Sequence, residues 1–439
     1  MRTQIWHGHA MKRAAVLAGC VSLVLGITGA GAVQARPHHH DPARDVLPAG
    51  DGWASEGAGT TGGSAATKDR VYTVSTWAEF KAALAEEGTA PRIIKVKGAI
   101  DAVSEGCDAL AVEGYDFQQY LADYDPAVWG HDTPVSGEQE DLRAASAANQ
   151  DRMIKAEVPA NTTIVGVGRD AGIRGGSLQI KGVDNVIVRN LTIEAPVDCF
   201  PQWDPTDDNK TGAWNSEYDG VVVYGSTHVW IDHNTLTDGR YPDSSLPEYF
   251  GKVYQRHDGL LDVVRGANYV TVSWNSFNDH DKTMLIGNSD GAGATDTGKL
   301  KVTLHHNRFE GIVERAPRVR FGQVDSYNNH FVVTKGQKFG YVFGIGANSQ
   351  LYASHNALTL APGVGVGKVL KKWSEAPLTA EHNYVNGRLT DLIAVHNAEI
   401  PAETLQSGAG WTPSLRTKVD HPKAVPGIVD HRAGAGRVC

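Results

Sequence analysis

The sequence predicts an all-β chain wound as a parallel β-helix, and three observations carry that prediction. First, one frame recurs: an apolar residue, four residues, Asn, one residue, an apolar residue. It appears as Val229…Asn234-Thr-Leu236, Val270…Asn275-Ser-Phe277, Val302…Asn307-Arg-Phe309, Val324…Asn329-His-Phe331, Leu351…Asn356-Ala-Leu358 and Leu378…Asn383-Tyr-Val385. Val186…Asn190 is a looser member, with its Asn one residue early. Second, successive asparagines from Asn234 lie 41, 32, 22, 27 and 27 residues apart. A fixed frame at variable intervals means one repeated unit from which insertions loop out. Third, each unit reads strand, turn, strand, with no helix-length segment, which excludes βαβ crossovers. Stacked coils, each paired with the coils above and below, satisfy all three. The Asn of each coil would sit at a bend, its amide bonding along the axis as in other stacked-strand structures. Independent Asn-containing turns in a sandwich are the alternative, and they leave the fixed frame without a cause.

The chain of 439 residues opens on an export signal. Met11-Lys12-Arg13 supplies the positive start, Ala14 to Ala32 is apolar and small, and Val33-Gln34-Ala35 fits a cleavage site, so residues 1–35 are expected to be removed. Leu17-Ala18-Gly19-Cys20 resembles a lipoprotein box, but the apolar run continues past Cys20. No later apolar run is long enough to span a bilayer. Arg36 to Lys68 is rich in Gly, Ser, Thr, Ala and His, and reads as a flexible leader, His38-His39-His40 included. The domain proper is then residues 69–439.

Thr76-Trp77-Ala78-Glu79 fits a capping box, with Trp77, Phe80 and Leu84 at helical spacing, so a short capping helix to Glu87 is expected. The strand Arg92–Asp101 follows. Ala102 to Val158 is polar and acidic without a strong period, and reads as an insertion between similar strands. Glycine is abundant at 49 residues and the formal charge is −9, which favours turns over long helices and argues against a nucleic-acid partner. With the signal removed, Cys107, Cys199 and Cys439 remain. Export makes a Cys107–Cys199 disulfide plausible, with two buried thiols the alternative; Cys439 has no assigned role.

The stretch Asp219 to Arg320 holds the chemistry. Asp219, Asp258 and Asp262 come first in spaced strand-like contexts, then Lys282, then Arg315-Ala-Pro-Arg318-Val-Arg320. Oxygen ligands from separate loops suit calcium, and paired guanidinium groups suit carboxylate recognition. No Cys or His cluster lies there at zinc-like spacing. Together these residues suit an anionic substrate held partly through a hard metal ion.

Four motifs now become diagnostic: Val-Trp230-Ile-Asp232-His233-Asn, Asp258-Gly-Leu-Leu-Asp262, Asp-His-Asp281-Lys282, and Arg315-Ala-Pro-Arg-Val-Arg320-Phe-Gly-Gln-Val. In order and register from about Val71 to Asn383 they closely resemble the secreted pectate lyases of polysaccharide lyase family 1. The resemblance weakens over Ala102–Val158 and after Gly387. It implies a right-handed parallel β-helix whose long loops form a substrate groove. It further implies calcium held by Asp219, Asp258 and Asp262, galacturonate carboxylates bound by Lys282 and Arg320, and Arg315 as the base of a β-elimination. The expected partner is polygalacturonate, and the expected setting a secreted monomer. Glu217, two residues before Asp219, is a weaker ligand candidate. Asp232 and His233 carry the repeat frame and read as coil-stacking residues, as do His257 and His280. Lys282, Arg320 and calcium would oppose a second positive charge and push the Arg315 pKa down. The loops Cys199–Ser216 and Arg240–His257 would wall the groove. Rival readings are a pectin lyase acting on methyl-esterified chains, a polygalacturonase-type hydrolase, and a non-catalytic polysaccharide-binding β-helix.

Overall fold

The alternating residues of the Asn frame form strands that stack in register from coil to coil. In the computed structural model, which describes residues 40–438, Val229, Val270, Val302, Val324 and Leu351 pair in succession across parallel strands. Leu236, Phe277, Phe309, Phe331 and Leu358 do the same on the next leg of the coil. All ten are buried, and the phenyl rings of Phe277, Phe309 and Phe331 stack at 4.7 and 4.9 Å. Apolar residues repeating on one inward face give a continuous column, each side chain contributing about 1.5–3 kcal/mol of burial. Eighteen strands join in one extended sheet that runs along two legs of the coil. An eight-stranded sheet, from Lys155–Glu157 to Leu370–Lys372, closes the remaining side. The expected parallel β-helix is what forms.

The bend between the first two legs explains the frame. Asn234, Asn275, Asn307, Asn329, Asn356 and Asn383 are fully buried. Each Nδ2 from Asn234 to Asn356 donates to Oδ1 of the next Asn at 3.0–3.1 Å. The residue before each of them, His233, Trp274, His306, Asn328, His355 and His382, has φ of 51–55°. The left-handed residue makes the turn and the Asn satisfies what the turn leaves open. Asn190 is early because it occupies the left-handed position itself, at φ 60°. Leu191 then stands at the ladder position, and its backbone N–H donates to Asn234 Oδ1 at 3.1 Å.

At the amino-terminal end, Trp77–Ala85 forms the capping helix, with both halves of the capping box made by Thr76 and Glu79. It buries Trp77, Phe80 and Leu84 over the end of the core. The insertion carries the helices Phe117–Asp123, Pro126–Trp129 and Glu138–Ile154. It packs against the groove loops through Tyr120, Tyr124, Trp203, Trp214 and Tyr254. Cys107 and Cys199 form a disulfide, S–S 2.01 Å, that ties the insertion to the first of those loops. Cys439, the signal and most of the His run lie outside the described residues.

One expectation is corrected. The leader expected to be flexible from Arg36 to Lys68 is packed against the coil from Asp41 onward, with Ala43, Leu47, Ala54, Thr60 and Ala66 buried. The small residues that read as disorder are what permits close approach. A Cβ on Gly63 would stand 1.8 Å from the Arg92 carbonyl oxygen. The backbone N–H groups of Trp53 and Ala54 donate to Thr303 and Thr271 side chains, each at 3.0 Å. Among the described residues no helix is long and apolar enough to cross a membrane.

Candidate active site

The residues singled out in the sequence stand in or beside successive strands of the eight-stranded sheet. Asp219 precedes the strand Val221–Tyr224, and Asp262 lies in the adjacent strand Leu261–Val264. Lys282 ends the strand Ser276–Lys282, just before Leu285–Ile286, while Arg315 and Arg320 flank Arg318–Val319. Stacking therefore gathers residues up to a hundred positions apart onto consecutive coils.

Asp219 and Asp262 meet around Gly259. The Gly259 N–H donates to Asp219 Oδ1 at 2.8 Å, and the Leu285 N–H to Asp262 Oδ1 at 2.9 Å. A Cβ on Gly259 would stand 2.7 Å from Asp219 Oδ1 and 2.6 Å from Asp262 Oδ1. Glycine here is what lets both oxygens face one small space. Burial and then the Asp258 charge push Asp262 up to about 7. Asp219 is half-buried, and desolvation is its largest influence. With Asp262 and Asp258 added, its carboxyl rises well above the usual range. Among the described residues neither carboxylate is salt-bridged, the charges of Lys282 and Arg315 offset them only in part, and an all-oxygen cradle of this kind fits a hard divalent ion.

Asp258 is less committed. Its side chain is 36% exposed and Oδ1 lies 3.6 Å from Lys282 Nζ. One oxygen from each of the three aspartates does not come within 4.8 Å of the others, a condition that Asp238, Asp243 and His257 do meet. That second cluster is largely engaged in bracing the Asp258 loop. The His257 ring nitrogens face the carbonyls of Pro196 and Tyr241 at 2.9 and 2.8 Å. His280 faces Asp238 Oδ1 at 2.5 Å and the Asp258 carbonyl at 2.6 Å. Both histidines hold backbone, in line with the structural role read from the sequence. Glu217 stands apart, 65% exposed and 3.9 Å from Lys155 Nζ. Asp232 accepts from Arg189 Nη2 at 2.8 Å and Ser273 Oγ at 3.0 Å, both its register partners, so it stacks coils.

Arg315 occupies a left-handed turn at φ 60°, a costly position for a long side chain that packing must impose. Met284 N–H donates to its carbonyl at 2.7 Å and its neighbour Ala316 N–H to Val342 O at 2.8 Å. Its Nε donates to Glu314 Oε1 at 3.0 Å. In the calcium-free chain the balance of charges on Arg315 differs from the one expected with calcium bound. Burial lowers the Arg315 pKa, but Glu314, Asp262 and Asp258 outweigh it, and the net shift is upward. The protein's own carboxylates hold the guanidinium charged. Glu314 was missed because its carboxylate precedes Arg315 directly in sequence, where strand alternation would point it elsewhere. The turn bends it back. Arg320 donates to Asp290 through Nε and to the Gly287 carbonyl through Nη1 at 2.9 Å.

The site sets carboxylates and cations side by side on one sheet of a parallel β-helix, an arrangement suited to an acidic polysaccharide. The family model described as pectate lyase matches residues 40–115 and 133–410. A pectate lyase of Bacillus subtilis is 44% identical over 427 residues, 95% of this chain and 98% of its own. Pectate lyase E of Dickeya chrysanthemi is 42% identical over 315 residues, 71% of this chain and 68% of its own. Among solved structures, the thermostable pectate lyase PL 47 superposes with TM-score 0.87 at 42% identity, over 91% of this chain and all of that one. A pectate lyase bound to a hexasaccharide superposes with TM-score 0.85 at the same identity and coverage. The chain belongs to the pectate lyase family.

Proposed function

We propose that the protein is a calcium-dependent, endo-acting pectate lyase that cleaves α-1,4-linked polygalacturonate outside the cell, as a single chain, by β-elimination. The observation that supports this reading best is the Asp219–Asp262 pair around Gly259, which has no salt-bridged cation among the described residues and lies near enough to Arg315 for that charge to act on Asp262. A hydrolase would use two carboxylates as acid and water-activating base; these lie together and share one environment. A non-catalytic binding protein has no need to gather them. The disulfide and the export signal support secretion.

Asp219 and Asp262 would hold calcium, with Asp258 turning from Lys282 to complete the set. Bound there, calcium would supply charge that stabilises the enolate-like carboxylate of the substrate and offsets the three aspartates. Lys282, released from Asp258, and Arg320 would hold uronate carboxylates and orient the sugar. Arg315 Nη would take the C5 proton. The electron pair left behind forms the C4–C5 double bond as the C4–O bond breaks, and the departing oxygen takes a proton from water. With Glu314 and the aspartates raising its pKa, Arg315 depends on neutralisation of those carboxylates to act as base, and on high pH.

The test is to follow unsaturated product from polygalacturonate with calcium and with excess chelator. Activity should vanish in chelator and return with calcium. Full activity in chelator would favour a pectin lyase, and reducing ends without unsaturation a hydrolase.

A further inference from the structure

We propose that Trp373 and Arg318 form a distal subsite for a galacturonate residue, beyond the two sugars that flank the cleaved bond. The inference rests on the pectate lyase reading and adds where the groove grips a longer chain. Arg318 pairs in register with Gly344, and Gly344 with Lys371. The Trp373 N–H donates to the Ile345 carbonyl at 2.9 Å, so Trp373 stands just past the same strand as Lys371. Val319, between Arg318 and Arg320, is fully buried, which turns the two arginines to the outer, groove side. Two coil spacings of about 4.8 Å put Trp373 roughly 10 Å along the sheet from the Arg315–Arg320 turn.

The coil between them is cut away. A Cβ on Gly344 would meet the Tyr341 ring at 2.8 Å and Arg318 Cγ at 3.1 Å, and one on Gly346 would meet Arg320 Cγ at 2.8 Å. The stem of Arg318 therefore lies over glycine, and its guanidinium reaches to 4.1 Å from the centroid of the Trp373 ring. Trp373 is 46% exposed.

The charge balance marks the ligand. Arg315 has Glu314, Arg320 has Asp290 and Lys371 has Glu403. Among the described residues Arg318 has no salt-bridged carboxylate, and its Nε is buried without a hydrogen-bond acceptor. A half-buried cation with no anion, laid beside an exposed indole, matches an acidic sugar. The carboxylate would take the guanidinium donors and the C–H face of the ring would cover the tryptophan.

The experiment compares trigalacturonate, hexagalacturonate and polygalacturonate as substrates for the wild type, Trp373→Ala, Arg318→Gln and Trp373→Phe. KM on the hexamer and polymer should rise roughly tenfold in the first two variants with kcat held, as for loss of an anchoring aromatic or arginine. KM on the trimer should not move, and Trp373→Phe should restore most of the loss. An equal effect on all three lengths, or none on any, would overturn the subsite. If Trp373→Ala fails to fold, the Trp373→Phe and Arg318→Gln length profiles decide alone. A wild type that forms no unsaturated product from any of the three would instead sink the pectate lyase reading.

Discussion

The asparagine ladder and the aspartate cradle are built from the same repeat, yet they treat polar side chains in opposite ways. At the bend, six neutral amides are fully buried, and each of the first five donates to the next along the axis. On the eight-stranded sheet, Asp219 and Asp262 face each other with no donor between them beyond single backbone N–H groups. An amide carries donor and acceptor together, so a stack of identical amides is self-complementary. A carboxylate at neutral pH only accepts, so a stack of carboxylates accumulates charge. The same coil geometry yields stability in one place and a demand for cations in the other.

Three perturbations would break or sharpen that contrast. The largest effect is expected at the chemistry. Arg315→Lys should cut kcat by about 10²–10⁴-fold, the usual range for a misplaced proton-transfer group, while calcium affinity measured by titration stays near that of the wild type. Arg320→Lys should mainly raise KM. If at saturating substrate Arg320→Lys loses turnover and Arg315→Lys keeps it, the two roles are reversed.

The next effect is on stability and depends on pH. Asp262 rises from 3.8 to about 7 in the folded chain, so the folded state binds the extra proton between those values. Stability of the calcium-free protein should therefore fall as pH climbs from about 4 to about 7, by a few kcal/mol in all. Asp262→Asn should flatten that slope and stabilise the calcium-free protein at pH 8, at the cost of calcium affinity. Calorimetry in chelator across this range reads it directly, and a rising stability would contradict the cradle's electrostatics.

The smallest effect belongs to the ladder. Asn329→Leu leaves the Asn307 Nδ2 and backbone N–H without their shared acceptor, at a cost on the order of 1–3 kcal/mol. That loss should be the same with and without calcium and at pH 5 and 8, since no charge is involved. A denaturation midpoint no lower than that of an exposed loop variant would mean the ladder does not stabilise.

What the sequence determined by itself is everything that repeats. The frame from Val229 to Val385 announces the coil, because an inward apolar column and a satisfied bend must recur at each turn. The order Asp219, Asp258, Asp262, Lys282, Arg315, Arg320 also survives into one groove, because stacking maps chain order onto coil order. What only the tertiary structure decided is what depends on contacts between non-repeating segments. Gly52 and Gly63 read as a loose leader, yet their missing side chains seat it on the coil. The Glu314 carboxylate sits on Arg315 because a left-handed turn bends the chain there. Gly259 becomes a cradle only when two aspartates arrive from different strands, and Trp373 meets Arg318 only because the coil between them carries glycine. Periodicity is written locally and can be read from a single chain. Complementarity between distant surfaces is a property of the folded coil, and it exists only once the coil has closed.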